Sequence, residues 1–242
     1  MGDIFNLDNK FFQTLGKGVD CVCLSLLWMI CCIPLAFGIY VAYVSKAIIL
    51  ALPCIILAGG VPAGIATTAL YYAVNKVIRH SRGYLWSSFW HSFKTNMKQG
   101  AFVTLVVAAA VVLVGLDGYI MYQFAKAGEK SGVLYVVFFV LMLVVIAWAI
   151  YVFPYMARFE NSTKLILKNS ALMAIGNLPK TFMALMFFLA CCIGTYLLPV
   201  VAIISPALGM LLLNYILEGV FERYMSDEDR EAENERNQEF YN

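Results

Sequence analysis

From Cys21 to Ser45 the chain carries no charged side chain, and that uninterrupted apolar run restricts the possible folds more than any other feature. A bilayer core about 30 Å thick is crossed by about 20 apolar residues in a helix, so such a run is long enough to span it. Five more segments meet the same standard. The reading places six spans at Val19 to Val44, Ala47 to Val74, Gly100 to Phe124, Val133 to Met156, Thr181 to Leu198 and Ala202 to Phe221. The 242 residues are 62% hydrophobic and 13% charged, with a mean hydropathy of +0.79. Soluble domains carry about 25% charged residues, and a soluble core could not enclose this much apolar surface. The expected fold class is therefore all-α, a polytopic membrane protein of about six transmembrane helices, with residues 1–221 as the membrane domain and 222–242 as a charged cytoplasmic tail.

Charge placement gives an orientation. For an even number of spans, one side receives Lys10, Lys17, Lys76, Arg79, Arg82, Lys94, Lys98, Arg158, Lys164, Lys168, Lys180, Arg223, Arg230 and Arg236, and the other receives only Lys46, Lys126 and Lys130. Fourteen of the 17 cations on one side place both termini in the cytoplasm by the positive-inside rule. The first span is read as an uncleaved insertion signal, because no cleavable leader pattern precedes it.

Two stretches are neither fully apolar nor loop-like. His80 to Lys98 sets Tyr84, Trp86, Phe89, Trp90 and Phe93 among polar residues, and Ser162 to Lys180 mixes Leu165, Ile166 and Leu172 with Lys164, Lys168, Asn169 and Asn177. Both suit amphipathic helices in the cytoplasmic interface, as lipid anchors or as a docking face formed by Trp86, Phe89, Trp90, Phe93, Asn169, Asn177 and Pro179. The second span is interrupted by Pro53, Gly59, Gly60 and Pro62, which predicts a kink or break. Gly60 and Gly64, with Ala63 and Ala66 beside them, form a small-residue pair that permits close helix approach.

The residues of catalysis are sparse. There is no P-loop, dinucleotide fingerprint, HExxH or GxSxG pattern, so neither ATPase nor hydrolase chemistry is expected. Cys21, Cys23, Cys31, Cys32, Cys54, Cys191 and Cys192 all fall in apolar runs without ligand or disulfide spacing, and His80 and His91 lack companions for a metal set. No metal or cofactor is expected. Ionisable groups at membrane depth are costly, which singles out Asp117 near the outer end of the third span and Glu218, with Asn214 one turn before it, near the inner end of the sixth. For Asp117 the reading is interfacial hydration or a substrate contact. For Glu218 and Asn214 it is snorkelling or helix-helix bonding.

The opening Gly2 to Phe12 (GDIFNLDNKFF) and Leu26 to Pro34 (LLWMICCIP) resemble the start of the YesL-like bacterial membrane proteins, a domain of unknown function. The resemblance continues through Gly64 to Arg79, Arg82 to Gly100 and Tyr151 to Thr181, in order and spacing, as far as about Phe221. One departure is a stretch from about Phe37 to Gly59, where the family passes quickly from the Ile-Pro segment to Gly-Ala-Thr-Thr-Ala-Leu-Tyr. The resemblance implies a multi-pass protein of the bacterial cytoplasmic membrane, since such genes tend to lie beside carbohydrate importers of the ATP-binding cassette type and two-component regulators.

The function expected from it is an accessory subunit without catalysis of its own. Its partners would be membrane lipid, the importer's permease subunits and, indirectly, the ATPase, with no nucleic acid. A permease proper is disfavoured, because its ATPase-docking loop carries a Gly about ten residues before Leu-Pro, whereas Gly176 here is followed at once by Leu178 and Pro179. The alternatives are a free-standing transporter built on the interrupted second span and a sensor partner of a histidine kinase. An inverted repeat would favour the transporter, and only a faint echo links the stretches after the second and fourth spans.

Overall fold

A computed structural model describes residues 10–46, 48–81, 83–225 and 230, and among them every regular element is helical. The opening Gly2 to Asn9, Arg82 and nearly all of the expected charged tail lie outside the described residues.

Helix α1 (Lys10–Ser45) is followed by a second arm that stays helical from Ile48 to Arg79. That arm comprises α2 (Ile48–Cys54), a π-helical turn (Ile55–Gly60), α3 (Val61–Ala73) and a second π-helical turn (Val74–Arg79). The short α4 (Leu85–Thr95) leads into α5 (Met97–Lys126), which pairs with α6 (Tyr135–Arg158) across a 3₁₀ turn. A second short helix, α7 (Thr163–Gly176), leads into α8 (Leu178–Leu197), and α9 (Ser205–Tyr224) follows a 3₁₀ turn at Pro199–Ile203. In hydrocarbon every backbone N–H and C=O needs an internal partner, and continuous helix supplies it.

Among the described residues, five helical segments are long and apolar enough to cross a membrane: Leu15–Ser45, Ala51–Arg79, Met97–Lys126, Lys130–Arg158 and Leu178–Leu197. The most apolar, Lys130–Arg158, contains an 18-residue stretch with a mean hydropathy of 3.0, of which only 11% is buried within the protein. A helix that oily with its sides uncovered needs lipid as its solvent. The expected sixth span is the twenty-residue α9, shifted by about three residues because Pro199–Ile203 winds as 3₁₀ helix. It is less apolar because it carries Asn214 and Glu218, and it buries both, together with Ala207, Leu213, Leu217, Val220 and Phe221.

Instead of a break, the interrupted second span contains a widened turn. The N–H of Val61 reaches back five residues to Ile56 O, and Pro62, which has no N–H to offer, enters at the start of α3. The small residues act on two faces. A side chain at Gly59 would collide with the backbone of Leu35 in α1, and one at Gly64 would collide with Thr104 in α5. Gly60, expected to pair with Gly64, faces open space apart from its own helix. The extra stretch from Phe37 to Gly59 thus forms the far end of the first hairpin, where Gly38 also packs on Ile55.

The apolar interior has two centres. One gathers Tyr71, Tyr151, Ile166, Leu217 and Phe221 from α3, α6, α7 and α9. The other gathers Leu24, Ala66, Ala69, Leu70, Phe89 and Ala207 from α1, α3, α4 and α9, and Met210 touches both.

Candidate functional site

Tyr71, Asn75 and Arg79 follow one another at intervals of four along the second arm. In an α-helix with 3.6 residues per turn, positions four apart drift by about 40° around the axis. The wide turn at Val74–Arg79 takes up that drift, and all three side chains meet α9. Tyr71 Oη donates to Glu218 Oε1 at 3.1 Å, Asn75 Nδ2 donates to the same oxygen at 3.3 Å, and Arg79 Nη1 donates to Asn214 Oδ1 at 2.6 Å. From the end of α6, Arg158 Nε lies 3.4 Å from Glu218 Oε2, and the two side chains are 15% and 4% exposed. The guanidinium of Arg79 also lies 5.2 Å from the centre of the Tyr215 ring, within cation–π range.

Aromatic rings close over the ion pair. Phe221 meets Tyr71, Tyr155 and Phe159 edge-on, with centroids 6.5, 6.1 and 5.7 Å apart. Two guanidiniums and one carboxylate from three separate helices are thus locked in a largely dry setting, where a charge-assisted bond is stronger than in water. Asn75 Oδ1 and Asn214 Nδ2 are buried without a partner among the described residues.

A second polar group fixes α7. Tyr155 Oη accepts from Asn161 Nδ2 at 2.9 Å and from Asn169 Nδ2 at 3.0 Å, and Trp148 Nε1 donates to Leu167 O and Ser170 Oγ. Tyr151 Oη and Thr181 Oγ1 are 3.0 Å apart, and Asn177 Nδ2 donates to Tyr224 Oη at 3.3 Å.

The two short helices join their following spans in the same way. Asn96 Nδ2 donates to Ser92 O at the α4–α5 joint, and Asn177 Nδ2 donates to Met173 O at the α7–α8 joint. Each unit also brings an arginine from the end of its preceding helix to α9, Arg79 from one and Arg158 from the other. This is the physical content of the echo in the sequence. Since α3 and α6 are separated by two chain reversals they run in the same direction, so the repeat is parallel rather than inverted.

The structure brings together some of the sequence-derived candidates and separates others. Glu218 and Asn214 sit in one cluster through helix-helix bonds, and neither snorkels to the surface. Asp117 is exposed on α5 and belongs to no part of that cluster. Within the expected docking face, Phe89 is 0% exposed because α4 turns Ser88, Phe89 and Ser92 onto the protein, so it is unavailable to a partner. Trp90 and Phe93 are half-buried beside it, while Trp86 remains 63% exposed. Asn177 is likewise buried, Asn169 is held by Tyr155, and Pro179 is exposed at the start of α8. Tyr71, Asn75, Arg79 and Arg158 were not identified as site residues from sequence. The signal for them was the four-residue spacing from Tyr71 to Arg79, matched by the four-residue spacing of Asn214 and Glu218.

A family model described as "Protein of unknown function, DUF624" matches residues 21–118, a segment that runs from α1 through most of α5 and includes Tyr71, Asn75 and Arg79. No curated protein and no solved structure matches the chain. The matched segment contains the Leu26 to Pro34, Gly64 to Arg79 and Arg82 to Gly100 motifs. Residues 21–118 thus match the DUF624 family, which is the YesL-like family that the sequence motifs resemble.

Proposed function

We propose that the chain is a six-span protein of the bacterial cytoplasmic membrane with both termini inside. In this reading it serves as a non-catalytic accessory subunit beside a carbohydrate importer of the ATP-binding cassette type. It would pack laterally on the permease and assist assembly or uptake.

The observation that carries this reading is the chemistry of a cavity enclosed by the helices. A sugar is recognised by side chains that hydrogen-bond its hydroxyls, whereas the cavity among α1, α3, α6, α8 and α9 is walled almost entirely by groups such as Ile150, Phe153, Phe187 and Met210. The charged cluster supports the same reading, since Glu218 is engaged by Arg158, Tyr71 and Asn75, and Arg79 by Asn214, across α3, α6 and α9. Such a cluster acts as a clamp between spans. The exposed Trp86, Leu172, Ile175 and Pro179 on the α4 and α7 side are among the residues left free to meet a permease near its cytoplasmic face.

Purification from native membranes in a mild detergent tests the proposal. The expected result is permease and ATPase subunits retained with the chain, and loss of sugar uptake in a strain lacking it. Retention of a histidine kinase alone would favour the sensor reading. The free-standing transporter is favoured by one observation, the unpartnered Asn75 and Asn214 amide atoms beside an ion pair. It predicts sugar flux into liposomes containing the purified chain alone. Fusions of a periplasm-dependent reporter at Lys46, Gly128 and Val200, and of a cytoplasm-dependent one at Asn161 and Asn242, test the orientation.

A further inference from the structure

The cavity has a volume of about 810 Å³, within the range of pockets that hold whole small molecules. It is ringed by α1, α3, α6, α8 and α9, each in contact with its neighbours around the ring, and Val111 of α5 reaches its wall between α3 and α6. Trp28 of α1, Thr67 of α3 and Val111 lie near the middle of their spans, and Tyr196, 85% exposed at the end of α8, marks the rim. The space therefore runs from bilayer mid-depth toward one membrane surface.

The polar side chains within the wall already have partners in the protein. Trp28 Nε1 donates to Thr67 Oγ1 at 3.1 Å, Thr67 Oγ1 donates to Ala63 O at 2.8 Å, and the hydroxyls of Thr195 and Ser205 are 2.9 Å apart. Among the described residues no charged side chain lines the space, and Cys191 and Cys192 behave as small apolar groups. Water needs polar partners to occupy a cavity and leaves apolar ones dry. Left empty, so large a space would forfeit dispersion contacts on a scale that a marginally stable fold does not tolerate. Hydrocarbon needs no polar handle, and it is the medium around every helix of the ring.

We infer that this chamber is a lipid site, occupied by one acyl chain of a membrane phospholipid that fills the ring and bridges α1 to α8 and α9. The inference is independent of the importer proposal. It assigns hydrocarbon rather than sugar as the ligand, whichever partner the protein has.

The test uses the full chain in phosphatidylcholine liposomes containing a phosphatidylcholine with a mid-chain diazirine. After irradiation, adducts are mapped by peptide mass spectrometry. Met210, packed between the two apolar centres, is expected to be labelled alongside the outward-facing Phe139. Cys191→Phe places a ring into the chamber from α8 and is expected to lower labelling at Met210 at least fivefold, with Phe139 unchanged. Cys191→Leu, a smaller change on the same wall, is expected to lower it partially. The unchanged Phe139 signal and a monodisperse detergent elution show that the variants fold. Absence of label at Met210 in the unaltered chain, or equal labelling in all three proteins, would overturn the assignment. So would labelling in liposomes but not in native membranes, which would mean that a partner protein fills the ring.

Discussion

Replacing Glu218 by alanine removes the acceptor shared by Tyr71 Oη and Asn75 Nδ2 and the counter-ion of Arg158. Each bond to a charged acceptor is worth about 1.5–3 kcal/mol. The two donors alone would sum to about 3–6 kcal/mol if they were additive, which neighbours in one network are not. Breaking a buried pair by deleting one partner costs about 3–5 kcal/mol, because the other charge is left uncompensated. Glu218→Ala is therefore expected to lose about 4 kcal/mol, a large share of a total stability of about 5–15 kcal/mol. Glu218→Gln keeps an oxygen for Tyr71 and Asn75 and loses only the charge, so about 2 kcal/mol is expected. Adding Arg158→Met to Glu218→Gln removes the cation that faced the carboxylate and should recover part of that loss. Unfolding in dodecyl maltoside titrated with sodium dodecyl sulfate, followed by circular dichroism, measures the unaltered chain, these three variants and Arg158→Met alone, which closes the cycle. A coupling between the 158 and 218 substitutions below about 0.5 kcal/mol, with Glu218→Ala costing under about 1 kcal/mol, would refute the idea that this cluster clamps α3, α6 and α9.

Gly64→Ala forces a methyl group into Thr104 and should cost about 1–3 kcal/mol, with Thr104→Ala restoring most of it in the double variant. Gly59→Ala meets the backbone of Leu35, which cannot step aside, so no single side-chain truncation in α1 should rescue it in the same unfolding assay. Phe89→Ala empties a fully buried position and should cost about 3–5 kcal/mol, whereas Trp86→Ala should leave stability within about 0.5 kcal/mol and reduce only the permease recovered on co-purification. The unaltered chain should stay with the membrane pellet after alkaline carbonate washing. Its release into the supernatant would contradict the exposed apolar faces of α1, α5 and α6.

Long apolar runs made most of the fold legible in the sequence, because in lipid helix is the conformation that satisfies the backbone of Cys21 to Ser45 or Val133 to Met156 within the segment itself. What the sequence did not reveal is which side chains face inward. Hydropathy is silent on facing when a helix is oily all round, so Phe89 and Trp86 looked equivalent although α4 buries one and exposes the other. Pro53 and Pro62 signalled an irregular helix correctly, but proline leaves open whether the chain breaks or widens its turn, and here it widens. Glu218 was conspicuous as a charge in an apolar segment. Its partners were hidden because Arg79 and Arg158 also read as ordinary inner-surface cations, and only the meeting of α3, α6 and α9 sets them apart.

The two arginines reach α9 along helices of different count. Arg79 lies eight residues after Tyr71, whereas Arg158 lies seven after Tyr151, and the longer arm is the one that widens at Val74–Arg79. The surplus residue works as a vernier. It lets a helix anchored at the first hairpin trim the azimuth of its last side chains without changing where it enters or leaves the bilayer. Straightening that turn to ordinary α-helix with all its residues kept would carry Arg79 about 100° around the axis, away from Asn214. The membrane arm would be intact, with its guanidinium aimed at nothing.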